Sequence, residues 1–224
     1  MMTIRQKKKH TAAGAAALTP GTTRSRHARP AAIVMTIWML FWVPVILWSY
    51  GPQNFLWLCN FALFLILFAL WTGNRLILSS QAGTVMLIGI IWAGEILLGL
   101  ATQGRLALGT SYMWNPDIPL IARLVSVYHV VVPLLVYLVL RRWGYDRRGP
   151  WLQCLLGSIA IVGARLLTAA ERNVNWVHQV PLDPPPAGIS GVAWVGLLLI
   201  LAPVLIYYPG HQIVLVLLRG RAQP

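Results

Sequence analysis

Glu95, Arg123 and Arg165 are charged residues set inside long apolar runs, and Asn60 and His129 are polar residues in the same situation. An ionised side chain at the centre of a membrane helix costs at least ~2.5–3.5 kcal/mol even on a lenient insertion scale. Such residues therefore face a partner, the bundle interior or water. One glutamate opposite one arginine is an ion pair. Opposite two arginines it leaves a surplus positive charge, which suits a phosphate or carboxylate. His129 adds a group that titrates near neutrality, able to carry a proton, act as a base or ligate haem. A lone intramembrane histidine serves equally well as a hydrogen-bonded packing residue. Cys59, beside Asn60, supplies a thiol, and a Cys–His pair is sufficient machinery for acyl transfer.

Depth groups these residues. At a rise of 1.5 Å per residue, Asn60 and Glu95 lie roughly 9 Å below the outer ends of their helices, Arg123 roughly 7–8 Å and Arg165 roughly 5 Å. Four polar side chains from four helices then share the outer third of the bilayer, as they would around a pocket open to the outer face. Close approach of the helices would use small residues such as Gly94, Gly99 and Gly163. The competing reading is structural: the arginines snorkel to the headgroups, or one of them pairs with Glu95 and locks the bundle. His129 falls roughly 16 Å into its helix. The offset of roughly 8–9 Å from Cys59 argues against direct contact between the two.

The elements that must hold these residues are transmembrane helices. The chain is 58% hydrophobic and 10% charged, with a mean hydropathy of +0.67; soluble domains carry about a quarter charged residues. Six apolar runs reach the ~20 residues that span a ~30 Å hydrocarbon core. They are Ala31 to Tyr50, Asn54 to Thr72, Ala82 to Ala101, Ile118 to Leu140, Trp151 to Thr168, and a last run from Ser190 to Leu218. Pro203 and Pro209 fall in the last run, so it either kinks as one span or ends as an interfacial helix. The expected fold is an all-α bundle of six spans at residues 31–218. A basic, disordered cytoplasmic tail at 1–30 and a short basic tail at 219–224 flank it.

Charge sets the orientation. The net charge is +13, which in a soluble chain would suggest nucleic acid. Here the basic residues alternate with the spans. Fourteen fall in the N-terminal tail, after spans two and four, and after the last span, against Arg105 and Arg172 in the opposite loops. That asymmetry places both termini in the cytoplasm, makes anionic lipid the natural partner of the charges and excludes nucleic acid. Outside, the stiff run Asp183-Pro-Pro-Pro reads as a spacer. Cys59 and Cys154 form no CxxC or CxxCH motif, so no zinc, c-type haem or disulfide framework is expected. No Gly-rich phosphate loop is present to support ATP-driven transport. No cofactor is expected.

The segments Trp57-Leu-Cys-Asn60, Gly144-Tyr-Asp-Arg-Arg148 and Asn173-Val-Asn-Trp-Val177 resemble a bacterial family of integral membrane proteins described only as membrane-associated. The resemblance runs from about Asn54 to His211. It implies a six-helix protein of the bacterial inner membrane and supplies no activity. Three functions remain open from the sequence. The first is binding an anionic, amphipathic, lipid-like ligand through Asn60, Glu95, Arg123 and Arg165, with His129 as a proton carrier. The second is a membrane-embedded acyl-transfer or lipid-modifying enzyme. The third is a structural subunit packed against other membrane subunits.

Overall fold

In a computed structural model, which describes residues 20–106, 109–180 and 188–219, the chain is an all-α bundle, with no strand among the described residues. The helices are α1 (Pro20–Tyr50), α2 (Leu58–Thr72), α3 (Arg75–Thr102), α4 (Leu120–Leu124), α5 (Tyr128–Trp143), α6 (Gly149–Leu167), α7 (Gly191–Ala202) and α8 (Tyr208–Leu218). A single 3₁₀ turn, Val125–Val127, joins α4 to α5, and a π turn, Pro203–Tyr207, joins α7 to α8. Each of these pairs therefore runs as one rod. Five rods are long and apolar enough to cross a membrane: Ala28–Tyr50, Arg75–Thr102, Leu120–Trp143, Gly149–Leu167 and Gly191–Leu218. The sixth, Leu58–Thr72, is shorter at 15 residues and is preceded by the 3₁₀ turn Pro52–Leu56. The chain is a multi-pass membrane protein.

The last rod resolves the open choice over residues 190–218. Pro203 lacks the amide hydrogen that an α-helix needs, and the chain widens into a π turn there instead of breaking. Gly210, His211, Val214 and Leu218 then stay buried against the bundle, so the end of the rod is a packed helix and not an interfacial one.

α3 is the central element, packed against α2, α5, α6 and α8, with α1 outside on α2. α1 reaches the bundle through a stripe at alternating steps of four and three: Ala28, Ala32, Met35, Met39, Trp42 and Ile46, all buried. Large apolar residues elsewhere face outward, among them Leu40 (72% exposed), Trp151 (79%) and Val192 (82%), as a lipid-facing surface requires.

Three starts differ from the sequence reading by four residues or more. The second helix begins at Leu58 and not at Asn54, which lies in the 3₁₀ turn. α1 begins at Pro20, so residues 20–30 are helical and not tail; Ala28 and Ala32 continue the packing stripe inward past Pro30. Residues 1–19 and 220–224, and the Asp183-Pro-Pro-Pro run, lie outside the described residues. α3 begins at Arg75, capped by the Asn74 carboxamide, which accepts from the Ile77 amide at 3.0 Å, and not at Ala82. Ser79, Ser80 and Gln81 lowered the hydropathy there and read as loop. They are instead fully buried, and their polarity is met by neighbours.

Candidate functional site

Asn60 sits in the first turn of α2 and is 5% exposed. Its carboxamide donates to the Asn54 carbonyl at 2.8 Å and accepts from the Tyr128 hydroxyl at 2.5 Å. Cys59 Sγ lies 3.9 Å from the same Asn60 oxygen. The Tyr128 ring stacks on His129 at 4.1 Å, and His129 stacks in turn on Trp92 at 5.3 Å, nearly parallel. The Trp92 indole donates to the Tyr112 hydroxyl at 2.9 Å. One polar and aromatic layer therefore runs from α2 through α5 to α3 and the outer turn Ser111–Trp114. Burial holds the Tyr112 phenol above its ordinary range, and the nearby Cys59 and Glu95 push the same way, against the hydrogen bonds from Ser126 and Trp92.

Glu95 and Arg123 border the same segment, residues 109–113. A Cβ on Gly109 would stand 3.3 Å from Glu95 Oε2, and Arg123 Nη1 donates to the Met113 carbonyl at 3.0 Å. The two charges do not pair: among the described residues Glu95 forms no ion pair at all. Glu95 Oε2 and Arg123 Nε are both buried with no hydrogen-bond partner. Arg165 does not join them. It donates to His178 Nδ1 at 2.5 Å, and its other terminal nitrogen lies near Gly191 at the start of α7. The expected glutamate between two arginines is therefore absent. Arg165, in the last turn of α6, faces His178 and α7, which the apolar pattern of α6 alone does not reveal.

In this arrangement His129 is enclosed by packing contacts. Its Nδ1 contacts the Ser126 carbonyl at 2.8 Å, and its own backbone carbonyl presses on Gly89 of α3. Among the described residues no hydrogen bond joins Cys59 to His129. Tyr128 links them, with its ring on His129 and its hydroxyl at Asn60. Of the glycines expected to admit close approach, Gly99 packs against the Trp114 ring, whereas Gly94 and Gly163 face open space.

Sequence reasoning missed a second polar layer, toward the opposite end of α3. Ser79, Ser80, Gln81, Thr84, Gln153, Tyr207 and His211 are each no more than 2% exposed. Gln81 Nε2 donates to Gln153 Oε1 at 2.8 Å and to Ser80 Oγ at 2.9 Å. The Tyr145 hydroxyl meets His211 Nδ1, and the His211 ring rests on Gly83, where a Cβ would lie 2.8 Å from His211 Cδ2. His211 Nε2 and Thr84 Oγ1 are buried without partners, and the Tyr207 hydroxyl lies beside the Gln153 side chain. The signal was present in the sequence as three consecutive polar residues at 79–81, but hydropathy assigned them to a loop.

Below this layer the turn between α5 and α6 is closed by Asp146. Its amide donates to Ser79 Oγ at 3.0 Å, and its carboxylate accepts from Arg148 through Nε at 3.1 Å and Nη2 at 3.0 Å. Arg75 Nε stands 4.0 Å away. The Arg148 hydrogen bonds, aided by Arg75, hold the Asp146 carboxyl below its ordinary range. Burial and the adjacent Asp146 charge raise the Tyr145 phenol. A shallow recess of about 380 Å³ opens beside this cluster, between Arg75, Arg148 and the end of α2. Among the described residues no three His, Cys, Asp or Glu side chains group as metal ligands would.

No family model, curated protein or solved structure matches this chain.

Proposed function

We propose that this protein binds an anionic, amphipathic, lipid-like ligand in the outer third of the bilayer, at the layer formed by Asn60, Glu95 and Arg123. It does so as a six-span protein of the bacterial inner membrane with both termini in the cytoplasm. The observation that carries this reading is Arg123, whose Nε is buried without an acceptor although Glu95 of α3 borders the same segment, residues 109–113. A buried donor on a charged group is expensive to leave unmet, so an acceptor supplied from outside the chain is favoured. A lipid phosphate supplies one and reaches this depth from the outer leaflet, while exposed Leu120 and Leu124 beside Arg123 give its acyl chains an apolar wall. Asn60, held by Asn54 and Tyr128, forms the wall of the site.

The test is lipid co-purification followed by native mass spectrometry on the full chain. Arg123→Met keeps the length of the side chain and removes the charge. Because Arg123 pairs with no carboxylate, the variant loses one bond to a backbone carbonyl and stays folded, while its retained anionic lipid disappears. Arg165→Met, which disturbs the separate contact with His178, keeps its lipid. Equal retention by wild type and Arg123→Met would overturn the reading and leave the structural-subunit alternative.

A further inference from the structure

The recess beside the α5–α6 turn gathers donors that the protein itself leaves open. Arg75 and Leu76 begin α3 and line it; as the first two residues of a helix, their amides have no carbonyl one turn back to bond. The Arg75 side chain is 27% exposed, and its Nε comes no nearer than 4.0 Å to the Asp146 carboxylate. Arg148, whose side chain is 74% exposed, takes up that carboxylate through Nε and Nη2. One carboxylate thus stands between two guanidiniums, and the recess keeps a surplus positive charge to which the helix N-terminus adds. Arg141, Arg142 and Arg147 flank the same turn and raise the potential around it. The other wall is apolar: Phe68, at the end of α2, lines the recess and is 53% exposed, with exposed Trp71 beside it. Such a junction of aromatic and basic residues marks the level where hydrocarbon gives way to headgroups. We infer that this recess, of about 380 Å³, binds the phosphate of an anionic phospholipid through Arg75, Arg148 and the first amides of α3. The site is separate from the Arg123 layer, since Arg75 precedes Glu95 by twenty residues on α3, roughly 30 Å along the helix. A choline or ethanolamine headgroup is disfavoured because its ammonium meets the surplus positive charge. The recess is open, so its lipid exchanges with the bilayer and is lost on purification; it is therefore measured in the membrane, unlike the lipid retained at Arg123.

The experiment reconstitutes the full chain in phosphatidylcholine vesicles with a trace of phosphatidylglycerol bearing a photoreactive diazirine on its headgroup. Labelled peptides are located by mass spectrometry, and label is expected within residues 68–76. Arg75→Gln should lower that label at least about tenfold, the size of one charge-assisted hydrogen bond. Arg142→Gln, which removes an exposed arginine outside the recess, should lower it by about fivefold at most, the effect of one cation near an anionic surface. On unaltered wild type, unlabelled phosphatidylglycerol should compete the label away and added inorganic phosphate should not, which keeps the test independent of how the variants fold. Equal losses from Arg75→Gln and Arg142→Gln would reduce the recess to diffuse attraction and overturn the site. Competition by inorganic phosphate as strong as that by phosphatidylglycerol would overturn the lipid as the source of the phosphate. Label confined to other segments would overturn the inference entirely.

Discussion

Gly210 of α8 lies directly on the carbonyl of Gly83 in α3, so close that a Cβ at position 210 would overlap that oxygen. The contact brings the backbones of two spans together and seats His211 on Gly83. Gly210→Ala must push α8 away from α3 and should destabilise the protein by about 1–3 kcal/mol, the range for overpacking. Gly94→Ala and Gly163→Ala, which face open space, should instead be neutral or stabilise by up to ~1 kcal/mol through helix propensity. Thermal unfolding in detergent measures all three. A Gly210→Ala protein as stable as Gly94→Ala would contradict the packing described here.

The Gln81–Gln153 hydrogen bond joins α3 to α6 in a layer from which water is excluded. Removing one partner strands the other, so Gln81→Leu or Gln153→Leu alone should lower stability by about 1–2 kcal/mol. The double variant leaves no stranded group from the pair. It should lose less than the sum of the single losses, with a coupling of about 0.5 kcal/mol or more. Strict additivity in the double-mutant cycle would mean the bond contributes nothing.

Asp146 couples the stability of the α5–α6 turn to pH. Its carboxyl is held below the ordinary value by Arg148 and Arg75. Its stabilising contribution is thus complete above the unfolded carboxyl's value of about 3.9 and disappears as pH falls through the lower folded value. Asp146→Asn should be less stable than wild type at pH 7. The gap should be small, because Arg148 is largely solvent-exposed, and it should narrow on acidification and in high salt. A gap that widens below pH 4 would contradict this assignment.

Topology is tested with reporter fusions. A fusion after Arg148 or at the C-terminus should report a cytoplasmic location, and one within Thr102 to Asp117 an external one, as the distribution of Lys and Arg requires. An external C-terminus would overturn the even number of crossings.

The amino-acid sequence by itself determined the class, an all-α multi-pass membrane protein, because the penalty for placing charge in hydrocarbon is large and acts on every residue of a span. Runs such as 31–50 and 151–168 are legible without any neighbour. It also identified Glu95 and Arg123 as unusual, since each breaks an otherwise apolar run. Which of the polar residues meet was decided only by the tertiary structure. Arg165 turns to His178, Glu95 stays unpaired, and Tyr145 finds His211 from 66 positions away. Helix rotation and the approach of α8 to α3 fix those meetings, and one-dimensional depth contains neither. The stretch 79–81 shows the same limit from the other side. Its polarity is indistinguishable from a loop until Ser79 receives the Asp146 amide and Gln81 finds Gln153 across the bundle. A buried hydrogen bond belongs to two segments at once, and neither segment records its partner.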